Sequence, residues 1–195
     1  MTTSNGRAAD FPIHSLFLDR WSPRSFTGEP ISDSDLFTLF EAARWAPSSS
    51  NLQPWRFLYA QRDTPDWPLF FDPLKDANKT WAKDASALVA ILSKRTAPVK
   101  GTDTVRETYT HSFDAGAAWA CFALQASLNG WVAHGIGGFD VPRAIRDFAV
   151  PDDYRIECMV AIGRYREPAE PASPNARSPQ ASFVRSGPFL RETGS

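Results

Sequence analysis

The sequence predicts one mixed domain of helices and strands that ends in an extended arm. Three observations predict it. Segments of helical and strand periodicity are interspersed along the chain. No predicted strand runs into a glycine-rich phosphate loop: neither G-x-G-x-x-G nor a Walker pattern is present, which argues against a Rossmann dehydrogenase. Finally, Pro168, Pro171, Pro174, Pro179 and Pro188 keep residues 165–195 from forming a second domain.

Each element has a local cause. Residues 1–10 read as a frayed start, and Ile13 to Leu18 as a short helix. Ser32-Asp33-Ser34-Asp35 is an N-cap signal, with Asp35 three residues after Ser32 as in a capping box. Leu36, Phe37, Leu39, Phe40 and Ala43 follow it at helical spacing, and Pro47 disfavours continuation. Trp55 to Ala60 reads as a strand. Residues 61–79 are mixed and carry Trp67, Phe70 and Phe71. Ala85 to Ser93 is a nearly continuous apolar run suited to a buried strand. Residues 94–106 are polar and charged and read as a loop. Thr108 to Leu128 is the longest predicted helix, stopped by Asn129-Gly130. Its small residues Ala115, Gly116, Ala117, Ala118 and Ala120 allow close helix approach, within one subunit or between two. Trp131 to Ile136 is a further strand that reaches Gly137-Gly138. Asp140-Val141-Pro142 opens a short helix, and Tyr154 to Ile162 is the last strand. In the arm, Phe183, Phe189 and Leu190 are apolar and suit wrapping around a partner.

Composition narrows the function. The chain has 195 residues, 43% of them hydrophobic and 22% charged, as in an ordinary globular protein. A net charge of −1 argues against an electrostatic nucleic-acid binder. No apolar run approaches a membrane span, and Met1 to Gly6 has no signal core, so a cytoplasmic location is expected. Cys121 and Cys158 read as packing residues in a reducing compartment. His14, His111 and His134 lack metal-type spacing and read as structural or surface residues. Aromatics reach 13%, with seven Trp, enough for a core and for stacking a planar molecule.

Two polar clusters stand out. Arg20-Trp21-Ser22-Pro23-Arg24 carries two forked donors on a turn pinned by Pro23. Such donors suit a phosphate dianion. Taken alone, they would equally suit solvated arginines paired with Asp19 or Glu29. The second cluster, Pro47-Ser48-Ser49-Ser50-Asn51-Leu52-Gln53-Pro54-Trp55, has more hydrogen-bonding groups than a connector needs. A helix stop built of Asx and Ser turns explains part of it, but not Gln53 and Trp55. The glycines of Gly135-Ile136-Gly137-Gly138 permit a bulge or the close approach of a flat ligand. No Ser-His-Asp set, metal cage or reactive cysteine emerges, so in an enzyme a cofactor would carry the hard step.

Together these residues resemble the nitroreductase family of flavin enzymes, from about Ser15 to the arm. The resemblance implies an α+β fold with a mostly antiparallel central sheet flanked by helices. It implies a homodimer holding two shared FMN sites, with the arm from about residue 165 crossing to the partner. Arg20, Trp21, Ser22 and Arg24 match the family's R-x-S-x-R motif, which implies FMN phosphate and ribityl contacts. Pro47, Ser48, Ser49, Asn51 and Gln53 match a turn that reaches the flavin of the other subunit. Gly137 and Gly138 match the segment whose backbone faces flavin N5. Asn78 lies where a family Asn binds the pyrimidine edge, and Arg177 matches a basic arm residue near the phosphate. Trp81 and Asn175 stand where family lysines are often found, with Lys79 or Lys83 as substitutes in a shifted register. Gly137 stands where the best-known branch often has Glu. The implied activity is hydride transfer from NADH or NADPH to FMN, then reduction of a small electron-poor acceptor such as a nitroaromatic or quinone, by a ping-pong scheme. Neither nucleic acid nor membrane is an implied partner. The alternatives are a flavin-fragmenting or dehalogenating relative, and a flavin-binding redox protein without turnover.

Overall fold

The computed structural model describes residues 2–169 and 173–188. The chain opens with a small antiparallel hairpin, β1 (Thr3–Ser4) and β2 (Arg7–Ala8), where a frayed start was expected. Asn5 and Gly6 both have positive φ, 52° and 69°, the conformation that an Asn-Gly hairpin turn requires. Helix α1 (Leu16–Asp19) follows. Helix α2 (Asp33–Arg44) starts where expected, with Ser32 Oγ accepting the Asp35 N–H at 3.0 Å. After the polar turn come β3 (Trp55–Gln61), α3 (Trp67–Phe71) and α4 (Asp76–Ala82). These two helices are too short to display a period. Tertiary packing holds α3, as where Phe70 meets Phe148 with ring centroids 4.5 Å apart.

Strand β4 (Ala87–Lys94) leads to a second hairpin, β5 (Thr96–Pro98) and β6 (Val105–Glu107), which replaces the expected loop over 94–106. The whole of β6 is exposed, so no alternation marks it in the sequence. Helix α5 (His111–Leu128) begins three residues later than expected, because Thr108 donates its N–H to the Arg95 carbonyl at 2.8 Å. The remaining elements are β7 (Val132–Ile136), α6 (Val141–Asp147) and β8 (Tyr154–Gly163). Trp131 stays outside β7 because its N–H closes the end of α5 on the Ala126 carbonyl, at 2.8 Å.

The central sheet has the order β3–β4–β8–β7, and every pairing is antiparallel. The expected α+β fold, a mostly antiparallel sheet flanked by helices, is therefore borne out. Residues of β4 alternate between the two faces. Val89 and Ile91 pack with Leu36, Leu39, Ala118 and Phe122 of α2 and α5. Leu88, Ala90 and Leu92 pack with Phe70, Ala82 and Ala144 of α3, α4 and α6. Burial on both faces explains why the strand reads as an uninterrupted apolar run rather than an alternating one. Of the apolar arm residues, Phe183 is exposed, while Phe189, Leu190 and Pro171 lie outside the described residues.

Candidate functional site

The segment that follows α1 is held from several sides. Arg20 ends the helix in an extended conformation. Trp21 meets Tyr165 edge to face, with centroids 5.2 Å apart. Pro23 is fully buried, and its carbonyl accepts a hydrogen bond from His134 Nδ1 of β7 at 3.0 Å. Downstream, Phe26 is 1% exposed and bridges to Tyr165, and the Thr27 N–H donates to the Arg164 carbonyl. A turn fixed this way presents the same side chains without ordering cost at the moment of binding.

This turn forms one wall of a cleft of about 410 Å³. Arg7, Arg20, Trp21, Ser22, Arg24, His134, Asn175 and Arg177 line it. Four guanidiniums thus meet, and among the described residues no carboxylate lines the cleft. Burial lowers the Arg20 pKa, and the nearby Arg177 charge lowers it further. Arg7 is affected the same way, by burial, then Arg177, then Arg20. Burial also lowers the His134 pKa, with Arg24 acting in the same direction and the Pro23 carbonyl opposing. A set of like charges around an open volume suits an anion, because a dianion relieves the repulsion and takes forked donors.

A second group lies on the elements that lead away from the cleft. Trp81 of α4 packs on the His134 ring with centroids 4.7 Å apart. One turn earlier on α4, Asn78 Nδ2 donates to the Gly138 carbonyl at 2.9 Å. That carbonyl also accepts the Lys75 N–H at 3.0 Å. Gly137 is exposed, and a Cβ there would meet no atom within 4 Å. The backbone at 137 is therefore open to a flat molecule.

The polar turn after α2 does not line the cleft. Residues Ser49–Asn51 form a 3-10 turn. Ser50, Asn51 and Gln53 have φ of 50°, 52° and 48°, a conformation that costs non-glycine residues of order 1–3 kcal/mol each when strained. Side chains hold it there. Ser48 Oγ accepts the Gln53 N–H at 3.0 Å, and Gln53 Nε2 donates to the Asn51 carbonyl at 3.2 Å. Buried Asp114 of α5 accepts the Ser49 N–H at 3.2 Å. Pro47, Ser49, Asn51 and Gln53 remain exposed.

The fold therefore gathers Arg20, Trp21, Ser22, Arg24 and Arg177 around the cleft, joins Asn78 to Gly138, and leaves the Pro47–Gln53 turn out of the cleft lining. Sequence reasoning missed three residues. Arg7 arrives on the hairpin that the Asn-Gly pair signals. His134, read as structural or surface, lines the cleft. Asp114 was hidden in an apolar helix, where a lone buried acid is itself a signal. Lys79 pairs with Asp76 at 3.8 Å, and neither it nor Lys83 lines the cleft. The other histidines are structural: His14 Nδ1 accepts the Leu16 N–H, and His111 Nδ1 lies 2.7 Å from buried Ser93 Oγ. Burial, with Glu157 beside it, pushes the Cys158 thiol up to about 11, so it is a poor nucleophile. Among the described residues no group of three or more His, Cys, Asp or Glu is placed to hold a metal. No helix among them is long and apolar enough to cross a membrane.

The layered sheet and its cation-lined cleft define an α+β protein with a cleft walled by the turn after its first helix and by Arg177 of the C-terminal arm. Comparison with known proteins gives the family. The Nitroreductase family model matches residues 18–65, the stretch that holds both polar clusters. A protein of Streptomyces coelicolor, named as a candidate NADH dehydrogenase/NAD(P)H nitroreductase, is 30% identical over 180 residues, covering 83% of this chain and 84% of its own. A solved oxidoreductase containing FMN is 43% identical, with a TM-score of 0.92, covering 97% of this chain and 99% of that one. A candidate nitroreductase from Desulfovibrio desulfuricans, solved in complex with FMN, shares the fold at 24% identity and a TM-score of 0.71, over 90% and 96% of the two chains. The chain belongs to the nitroreductase family.

Proposed function

We propose that this protein is an FMN-dependent oxidoreductase that takes hydride from NADH or NADPH and reduces electron-poor acceptors, nitroaromatics or quinones among them, in two half-reactions. One observation carries the reading: four arginines face one cleft with no carboxylate lining it among the described residues. This donor set fits a phosphate dianion, and the FMN in the 43% identical oxidoreductase supports the choice of cofactor.

Arg20, Ser22, Arg24 and Arg177 hold the phosphate and ribityl chain, and Trp21 packs beside them. Asn78 and the backbone of Gly137 and Gly138 face the ring. Bound FMN would supply the two-electron chemistry between the nicotinamide and the acceptor. The protein's own part is to bind, orient and shield. No side chain is assigned a proton transfer, and water supplies the protons.

The working unit in this reading is a cytoplasmic homodimer. Each chain is one domain over 1–195, with an arm from about 165 that crosses to its partner. Trp45, Tyr109 and Phe113 are 73%, 95% and 81% exposed at the end of α2 and the start of α5. Trp45 lies just before the Ser48–Gln53 turn and Phe113 adjoins Asp114, which accepts the Ser49 N–H; such apolar exposure marks an interaction surface. Pro47, Ser48, Ser49, Asn51 and Gln53 would then serve the partner's flavin. The test is anaerobic. NADH or NADPH should bleach the bound flavin, quinone should restore it, and initial rates should give parallel double-reciprocal lines. Intersecting lines would overturn the two-step scheme.

A further inference from the structure

We propose that Arg7, carried by the N-terminal hairpin, is a fourth anion-binding residue of the arginine cleft and contacts the phosphate directly. The proposal rests on the reading of this cleft as the FMN phosphate site. It adds a cation that the R-x-S-x-R turn and the arm do not contain.

Two placements carry it. Arg7 Nη1 donates to the Leu18 carbonyl at 2.8 Å and to the Arg20 carbonyl at 3.0 Å. These bonds tie the hairpin to the end of α1 and fix the guanidinium where the Arg20–Arg24 turn begins. Arg7 also lines the cleft. Its Nε is buried and without a hydrogen-bond partner among the described residues, and Nη1 makes both carbonyl bonds, which leaves Nη2 as the donor for an anion beside Arg20 and Arg177. Burial, and then the charges of Arg177 and Arg20, already lower its pKa. A residue that only capped α1 would gain nothing from a full charge set among like charges. An incoming dianion turns that repulsion into attraction. The arm approaches the same hairpin, with the Gln180 N–H donating to Asp10 Oδ2 at 2.8 Å. The hairpin thus presents Arg7 on the side of the cleft where the arm presents Arg177.

The alternative is a purely structural Arg7 that caps α1, which the choice of ligands separates. Full-length protein freed of flavin is titrated with FMN and with riboflavin, which lacks the phosphate, and flavin fluorescence is followed. Wild type should bind FMN more tightly than riboflavin. If it shows no such preference, the cleft is not the phosphate site and the proposal falls with that reading. With the preference present, Arg7→Gln should raise the FMN dissociation constant about tenfold or more, the loss expected for one charge-assisted bond. Riboflavin affinity should not change. An equal loss for both ligands, or no loss, would overturn the direct contact while leaving the phosphate site intact. Should Arg7→Gln fail to fold, Arg7→Lys carries the same comparison. It keeps the charge and loses the fork, so a selective FMN loss supports the contact and an equal or absent loss refutes it.

Discussion

Asn78 and Gly138 occupy one shared space: the Asn78 Nδ2 that donates to the Gly138 carbonyl at 2.9 Å lies 2.6 Å from where a Cβ at position 138 would sit. The bond and the absent side chain are the same adaptation. Gly138→Ala should push the carboxamide aside and cost roughly 1 kcal/mol, the worth of one hydrogen bond. In an Asn78→Ala background the same change should cost almost nothing. Urea unfolding midpoints of the four proteins measure this, and equal costs in both backgrounds would show that the two residues are not coupled.

The end of β8 is tighter. A Cβ at Gly163 would lie 2.6 Å from Cδ1, 3.0 Å from Cγ and 3.2 Å from Cβ of Phe26. Phe26 is 1% exposed and cannot swing away. Gly163→Ala should therefore cost about 1–3 kcal/mol, as overpacking does. Phe26→Leu in the same chain should recover part of the loss. A Gly163→Ala protein as stable as wild type would show that this corner is loosely packed.

His134 predicts a pH dependence. Burial, aided by Arg24, holds its pKa below the usual value despite the Pro23 carbonyl. The folded protein thus takes up this proton at lower pH than the unfolded chain, whose histidines titrate near about 6.5. Stability from the neutral ring is complete above that unfolded value and is lost as pH falls through the lower folded one. Urea unfolding at pH 7 and at pH 5 should show wild type losing more stability on acidification than His134→Gln. Identical slopes would mean that the ring is not held neutral.

Arg177 stands on the arm, where its Nη1 donates to the Asn175 and Ala176 carbonyls, each at 3.1 Å. As a phosphate ligand it contributes a charge-assisted contact of about 1.5–3 kcal/mol, so its loss should weaken FMN roughly ten- to hundredfold. Arg177→Gln should lose as much as Arg177→Ala, because polarity without charge does not replace it. Unchanged FMN affinity in both, by fluorescence titration, would remove the arm from the site.

What the sequence made legible was local or strongly patterned. Ser32 marks the start of α2, and the apolar run over 85–93 marks β4, because cap and burial are written within a few residues of the element they shape. Arg20 and Arg24 could be picked out as forked cations suited to phosphate, whereas Arg177 came only from the family resemblance. What stayed hidden depends on distant partners. His134 joins the cleft through a bond to Pro23, 111 residues away in sequence. Arg7 belongs to it only because a hairpin of two-residue strands folds back on α1. Asp114 holds a turn 65 residues upstream. Helices α3 and α4 are too short for a period, and tertiary contacts decide them.

The central claim is that the arginine cleft holds the phosphate of FMN, and the identity of the bound flavin tests it most directly. Purified full-length protein, reconstituted with a mixture of FMN, FAD and riboflavin and washed, is heated to release its flavin, which is then separated by chromatography. The account predicts FMN as the species recovered, because four cations around a cleft of about 410 Å³ favour a single terminal dianion. Recovery of FAD, of riboflavin in equal amount, or of no flavin would contradict it.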